Sequence, residues 1–221
     1  MAKNLQGQAR DFAAQTSDLL NRTLTKGIRI SSVTTPVGHT VMGCGVTPKN
    51  LMPTPIPLGT ASACVWLYLQ HSYGLDPEGV HLTMTQGTIS LYSSVEMGDD
   101  DLLLGIDYVR ESPNQYPGSH LHVAGVRGDL DRVYRGDQRK SRKLRDLHLP
   151  VGGKRYRPTL EDMIEFVVTE EMATPHEGWL DVVLEHRRRW ELIQLKAAVR
   201  RDQEDAAEAL RAEGWSVSAP Q

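Results

Sequence analysis

Residues 107–125 read Asp-Tyr-Val-Arg-Glu-Ser-Pro-Asn-Gln-Tyr-Pro-Gly-Ser-His-Leu-His-Val-Ala-Gly, and this stretch decides the fold. Two runs typical of β-strands flank a loop rich in Pro, Asn and Gly, which is the pattern of a hairpin with a long loop. Because side chains alternate between the two faces of a strand, Tyr108 and Arg110 share one face, as do His120 and His122. If Arg110 pairs with His120, then Tyr108 pairs with His122. One face of the hairpin is then apolar, and the other carries the four polar side chains.

These four side chains are of the types that cleave RNA without a metal. A histidine with a pKa near neutrality can move a proton, and an arginine can stabilise the charged oxygens of a reacting phosphodiester. Tyr108 can donate a hydrogen bond or stack on a base. The sequence therefore predicts His120, His122, Arg110 and Tyr108 as catalytic residues. The alternative is a polar, solvent-facing sheet surface with no chemistry.

Metal binding is a second reading of the same pair of histidines. His120 and His122, two residues apart on a strand, project the same way and could hold one metal ion. A metal needs further ligands, and Asp107 has the opposite parity to Tyr108 and Arg110. Asp107 joins the face only if a bulge intervenes. We therefore expect no bound metal and no cofactor.

Hydrophobic periodicity predicts elements on both sides of this hairpin. Apolar residues at three- and four-residue spacing predict an amphipathic helix over residues 4–25, which Gly27 ends. Residues 28–46 carry strand-like runs, four prolines make 47–59 a loop, and the alternation within 61–73 favours a strand.

A second hairpin is predicted over residues 80–93. A tight turn at 85–88, with Gly87 at a positive φ, would pair Met84 with Ile89. The same register places His81 opposite Tyr92 on a polar face, so both become candidate binding residues beside the histidines.

The C-terminal part of the chain is predicted to be helical. Thr159 begins a capping-box-like start for a helix over 159–171. A further helix is expected from about residue 174 to 212, where Gly214 stops it. The sequence thus predicts an α+β fold: an antiparallel β-sheet packed by an N-terminal helix and C-terminal helices. We expect a sheet domain over 1–171, a helical arm over 172–214 and a disordered tail over 215–221.

Composition narrows the class of protein. Of 221 residues, 39% are hydrophobic and 24% are charged, which suits a chain with a buried core. No apolar run approaches the roughly 20 residues that a membrane span requires, and the N-terminus lacks the apolar core of a secretory signal. Neither Cys44 nor Cys64 has a CxxC partner, which argues against a thiolate zinc site or a disulfide framework. We expect a cytoplasmic protein.

Charge is distributed unevenly along the chain. Residues 127–157 hold eleven Lys or Arg and four Asp, so this segment carries about +7 in a chain of net charge −3. A basic segment on an otherwise acidic protein suggests nucleic acid, another polyanion or an acidic partner. Its run Arg139, Lys140, Arg142 and Lys143 supplies the candidate phosphate contacts. A solvated basic loop is the alternative.

The run Leu104-Gly-Ile-Asp-Tyr-Val-Arg, followed by Pro117-Gly-Ser-His-Leu-His-Val and a Thr-Leu-Glu-Asp helix, resembles the TumE-type toxins of toxin–antitoxin systems. The resemblance covers about residues 102–171. It implies nucleolytic activity, a helix-turn-helix antitoxin as partner, and functional roles for Asp107, Arg110, His120 and His122.

Two other classes of function stay open. His81-Leu-Thr-Met and His120-Leu-His-Val resemble the paired motifs of the two-histidine phosphoesterases, although His122 stands where that pattern has Thr or Ser. Alternatively the protein is not an enzyme, and Trp179, Trp190 and Ile193 on the C-terminal helix dock a partner or a second copy.

Overall fold

The computed structural model describes residues 5–59, 65–111, 117–125, 143–144, 147–151 and 157–218. The elements within these ranges are α1 (Leu5–Thr23), β1 (Ile30–Thr34), β2 (Thr40–Cys44), β3 (Ile56–Pro57), β4 (Trp66–Leu75), β5 (Leu82–Tyr92), β6 (Leu102–Val109), β7 (Ser119–Val123), β8 (Leu149–Pro150), α2 (Leu160–Thr169), α3 (Trp179–Arg201) and α4 (Gln203–Ala212).

The described strands form one eight-stranded antiparallel sheet. Seven of them run in the order β1-β2-β4-β5-β6-β7-β8, and β3 pairs with β4. Each strand in that order pairs with its neighbour in the antiparallel sense, so the chain winds back and forth along the sheet. This sheet, with α1 before it and helices after it, confirms the predicted α+β class and the strands expected in 28–46, 61–73 and 103–124.

One face of the sheet carries the hydrophobic core. In β4, Leu67 and Leu69 are buried while the alternating residues Trp66 and Tyr68 are partly exposed, so the alternation sets the inward face. Leu91 and Ile89 of β5 lie opposite this pair and are buried with it. Burying a large aliphatic side chain stabilises the fold by about 1.5–3 kcal/mol.

Helices α1 and α2 contribute their apolar sides to the same core. Ala13 and Leu20 of α1 join the core cluster, as the periodicity of residues 4–25 predicts. Met163 and Ile164 of α2 are also buried there. The backbone N–H of Thr159 donates to Asp162 Oδ2 at 2.7 Å, so the predicted capping box is confirmed.

The predicted hairpin over residues 80–93 is wrong. β5 is one continuous strand through Gly87, which pairs with His71 on one side and Tyr108 on the other. The turn lies earlier, where Asp76 Oδ1 accepts hydrogen bonds from the backbone N–H groups of Val80 and His81. Gly79 supplies the positive φ of that turn, at 70°. The Asp-Pro-Glu-Gly sequence of 76–79 is therefore the stronger turn signal, and the β-branched residues around Gly87 favour a strand.

The chain divides into two compact units, Met1–Val183 and Leu184–Gln221. The first contains the sheet, α1, α2 and the beginning of α3. The second contains the rest of α3 and α4, where no residue of α4 is buried. Among the described helices, none combines the length and the apolar character that crossing a membrane requires.

Candidate functional site: a histidine cluster on the polar face

The register of the β6–β7 hairpin decides which side chains meet. Asp107 pairs with His120, Gly105 with His122, and Tyr108 with Ser119. The predicted pairing of Arg110 with His120 is therefore wrong by three residues. Because three is an odd number, the difference moves each predicted partner to the other face of the sheet.

Two side chains beside Tyr108 explain this register. Leu104 and Ile106 point to the same face of β6 as Tyr108. In the sheet Leu104 pairs with Val123 and Ile106 pairs with Leu121, on the core side. Tyr108 follows them inward and is 3% exposed. Asp107 takes the opposite face with His120 and His122, so the expectation that no carboxylate shares the histidine face is also wrong.

A third histidine, which the sequence did not single out, completes the cluster. Strand β8 pairs with β7 through Pro150 opposite His120 and Leu149 opposite Leu121. His148 is two residues before Pro150 and so points to the same face of the sheet. Its ring lies beside the rings of His120 and His122. The centroid distances are 4.9 Å for His120–His122, 4.7 Å for His120–His148 and 5.0 Å for His122–His148. One side-chain nitrogen from each ring lies within 4.8 Å of the other two. The alternation in Leu-His-Leu-Pro, residues 147–150, was the available signal.

Asp107 is held beside this cluster by hydrogen bonds. Its Oδ1 accepts a hydrogen bond from the Thr88 hydroxyl at 2.7 Å, and its Oδ2 lies 3.3 Å from His122 Nε2. Burial by itself raises the pKa of Asp107. The hydrogen bonds from His122 and Thr88, with the charges of His122 and His120, outweigh burial, and the pKa is lowered overall. Asp107 is therefore an anion at neutral pH.

Gly105 of β6 lies between Ser90 of β5 and His122 of β7 in the sheet. A Cβ atom at this position would lie 3.2 Å from Ser90 Oγ and 3.6 Å from His122 Cβ. An added Cβ would therefore be tight against Ser90 and in ordinary contact with His122.

The two predicted binding residues of β5 separate. Tyr92 lies at the end of the strand on the histidine side of the sheet. Burial raises its pKa, and the charge of Asp107 contributes in the same direction. His81 lies before the strand, is exposed, and ends the turn that follows Asp76. The predicted pairing of His81 with Tyr92 is therefore wrong, because β5 does not fold back on itself.

Tyr108 and Arg110 belong to a different group of side chains on the core side. The Arg157 guanidinium carbon lies 4.6 Å from the centre of the Tyr108 ring, and Arg110 Nε donates to the Met84 carbonyl at 2.9 Å. Nearby, His71 Nδ1 lies 3.0 Å from the Tyr73 hydroxyl. Burial, with a smaller contribution from the charge of Arg157, lowers the pKa of His71 to about 3. Neither Tyr108 nor Arg110 shares the face of the cluster.

Most of the basic segment lies outside the described residues, including Arg139, Lys140 and Arg142. Lys143 is described, and its Nζ lies 2.6 Å from Asp100 Oδ1 in an exposed ion pair. The backbone N–H of Leu144 donates to the Gly125 carbonyl at 3.0 Å, close to the end of β7.

Imidazoles and a carboxylate on one sheet face can do two kinds of chemistry. They can move protons to and from a substrate, or they can hold a transition-metal ion.

No family model matches the chain, and neither a curated protein nor a solved structure matches it. The resemblance to the TumE-type toxins therefore stays a prediction from short motifs.

Proposed function

We propose that the protein is a nuclease-like toxin or defence protein, and that it cleaves RNA at the cluster formed by His120, His122 and His148. The observation that carries this proposal is the convergence of three imidazoles beside the Asp107 carboxylate. Phosphodiester cleavage needs a group that accepts a proton, a group that donates one, and positive charge near the phosphate oxygens. Imidazoles supply these functions directly, or through a metal ion that they hold.

The position of the basic segment supports an RNA substrate. Residues 124–148 connect Val123 at the end of β7 to Leu149 at the beginning of β8, so both ends of this connection join the sheet next to the cluster. Eight of the eleven cations of the basic segment fall in this connection. Cations of this kind bind phosphate groups, and Tyr92 on the face of the cluster offers a ring for a base to stack on.

The resemblance to toxins adds a biological expectation. A ribonuclease toxin arrests growth when it is produced without its antitoxin, and a helix-turn-helix protein encoded beside it would be the partner. We expect expression of the wild-type chain to slow growth of a bacterial host, and His122→Ala to remove that effect. Equal growth with both chains at equal expression would remove the support for a toxin.

Cleavage is tested with the purified full chain and an end-labelled single-stranded RNA. We expect cleavage by the wild-type protein, and His122→Ala to lower the rate by roughly 100-fold or more, in line with loss of a proton-transfer group. His39→Ala is the control, because His39 is exposed in the turn between β1 and β2. An uncut RNA, tested both with and without divalent metals, would contradict the proposal. Equal cleavage by His122→Ala would show that the activity does not depend on His122, and this too would contradict cleavage at the cluster.

A second candidate function rests on an exposed apolar stripe of α3. Its members fall on one face of the helix and are between 37% and 59% exposed: Leu184, Leu192, Leu195 and Val199. Exposed aliphatic side chains in a row are typical of a helix that packs on another helix. This observation favours self-association of the helical arm. The residues that the sequence predicts to dock a partner are not the members of this stripe. Of these predicted residues, Ile193 is exposed, while Trp179 and Trp190 are only partly exposed.

A further inference from the structure

We infer that His120, His122 and His148 form a binding site for one divalent transition-metal ion of the zinc class, with Asp107 beside it. The first observation is convergence. Two rings come from β7 and one from His148, the residue before β8, and a nitrogen of each lies within 4.8 Å of the other two. Three imidazoles are one of the ligand sets of catalytic zinc sites, which keep a fourth position for water or substrate.

The second observation concerns the proton on the His120 ring. His120 Nδ1 lies 2.8 Å from the Pro117 carbonyl oxygen. A carbonyl oxygen can only accept, so Nδ1 carries a hydrogen, and the neutral ring then has its lone pair on Nε2. A hydrogen bond from the second ring nitrogen to a backbone carbonyl is the usual support of a metal-ligating histidine. It fixes the tautomer and the orientation of the ring before any ion arrives.

The third observation is the distance between Asp107 Oδ2 and His122 Nε2, which is 3.3 Å. Ligands that bind zinc tetrahedrally at about 2.0–2.1 Å stand about 3.3 Å apart. The same separation fits the hydrogen bond from His122 to Asp107 in the metal-free chain, and it becomes that of neighbouring ligands when an ion displaces the proton on Nε2. The hydrogen bond from Thr88 to the other carboxylate oxygen holds Asp107 in this orientation. Asp107 is placed either to ligate the ion or to stabilise its charge.

The ligand types select the class of metal. Neutral imidazole suits zinc, copper, nickel and iron, whereas magnesium and calcium prefer oxygen ligands. Among the described residues, the cluster has three nitrogen donors and a single nearby carboxylate. We therefore expect Zn²⁺ and Co²⁺ to bind and Mg²⁺ to bind far more weakly.

A metal at this position would change the mechanism of the proposed RNA cleavage. A zinc-class ion polarises a phosphoryl oxygen or lowers the pKa of a bound water. The imidazoles would then act as ligands, and the reacting proton would leave from the water. This consequence rests on the proposed function, but the binding site itself does not.

The test is a titration of the full chain, freed of metal by a chelator, with CoCl₂ and with ZnCl₂. Tetrahedral Co²⁺ gives intense visible absorption, and calorimetry with Zn²⁺ gives the stoichiometry. We expect one ion per chain. His148→Ala and His148→Gln should each weaken binding by roughly 100-fold or more, and Asp107→Asn by roughly 10- to 100-fold. His39→Ala is the matched control and should bind as the wild type does.

Near-UV circular dichroism shows whether each variant is folded, and His148→Gln keeps a polar side chain if the alanine variant does not fold. The absence of saturable binding by the wild type would overturn the inference, as would binding by both His148 variants as tight as that of His39→Ala. No RNA is present in this titration. Failure of the metal site and failure of the nuclease proposal are therefore separate results.

Discussion

Thr88 and Asp107 lie opposite each other on β5 and β6, and the Thr88 hydroxyl donates to the Asp107 carboxylate at 2.7 Å. This hydrogen bond ties the histidine cluster to the middle of the sheet. Asp107 reaches His122 with its other oxygen, so the orientation of one carboxylate depends on a hydroxyl two strands away from the ring.

Replacing Thr88 by valine tests the strength of this link. Valine keeps the shape and the strand preference of threonine but removes the donor, so we expect a loss of about 1–2 kcal/mol in the free energy of unfolding. Urea unfolding followed by circular dichroism measures it. Thr83→Val is the control, because its hydroxyl makes only a 3.4 Å contact with the His81 carbonyl. Equal losses in the two variants would show that the Asp107 hydrogen bond contributes nothing particular.

The buried His71 predicts a pH dependence of stability. Its pKa is about 3 in the folded chain, against 6.5 for an ordinary histidine. Between these values the unfolded chain binds a proton that the folded chain does not. The contribution of the neutral, buried His71 to the free energy of unfolding is therefore fully present above pH 6.5. It falls as the pH drops towards 3, by up to about 1.4 kcal/mol per pH unit.

His71→Leu should remove this contribution. The comparison is made in a Tyr73→Phe background, because Tyr73 would otherwise lose its hydrogen-bond partner. The free energy of unfolding at several pH values between 3.5 and 6.5 should depend less steeply on pH once leucine replaces the histidine. An unchanged slope would mean that His71 is protonated in the folded chain.

Leu91 tests the position of the core. It is fully buried between its β4 and β6 neighbours Leu67 and Leu104. Leu91→Ala leaves a cavity, and we expect a loss of about 3 kcal/mol. Val37→Ala, at a position that is 80% exposed, should change stability by less than about 0.5 kcal/mol. A small effect of Leu91→Ala would place the core elsewhere.

The basic segment predicts a salt-sensitive affinity for RNA. We expect the logarithm of the binding constant to fall linearly with the logarithm of salt concentration. Reversing the charges of the run that contains Arg139, Lys140, Arg142 and Lys143 should weaken RNA binding at least roughly 10-fold and make the salt dependence shallower. Four reversals elsewhere are the control, at Arg10, Lys26, Arg29 and Lys49. If both quadruple variants lose affinity equally, net charge explains the binding and the segment has no special role.

The exposed stripe of α3 predicts self-association. Leu195→Glu places a charge in the middle of the stripe, and it should shift the chain from dimer to monomer in light scattering after size exclusion. Gln194→Glu introduces the same charge on another side of the helix and should leave the assembly unchanged. A wild-type chain that is monomeric at high concentration would exclude this use of the stripe.

The sequence predicts the fold class well because periodicity is a local signal. Leu5–Thr23 and Leu160–Thr169 each bury one helical face, and their apolar spacing states this directly. The position of the turn near residue 80 needed a comparison between two glycines. A turn is predicted at Gly87 because glycine tolerates a positive φ. The Asp-Pro-Glu sequence before Gly79 is the more typical turn sequence, and the turn lies there.

The site was predicted in part, because strand register depends on residues outside the motif. His120 and His122 were identified correctly as a pair on one face. The neighbours of these histidines are set by Leu104 and Ile106, which point into the core. Tyr108 therefore also points into the core, and Asp107 lies on the face of the histidines. His148 lies 26 residues beyond His122, and only the completed sheet brings it into contact with the other rings.

The third histidine stands next to a very short strand at the edge of the described sheet. β8 has two residues at the sheet edge, and its Pro150 has no N–H to donate to β7. A strand of this length can detach with little loss of buried surface, so local opening should expose the amides around Leu149 to hydrogen exchange well before those of β5. Such an opening would carry His148 away from the other two rings. An ion held by all three rings should therefore slow hydrogen exchange around Leu149, which connects the metal content of the protein to the local stability of one edge of its sheet.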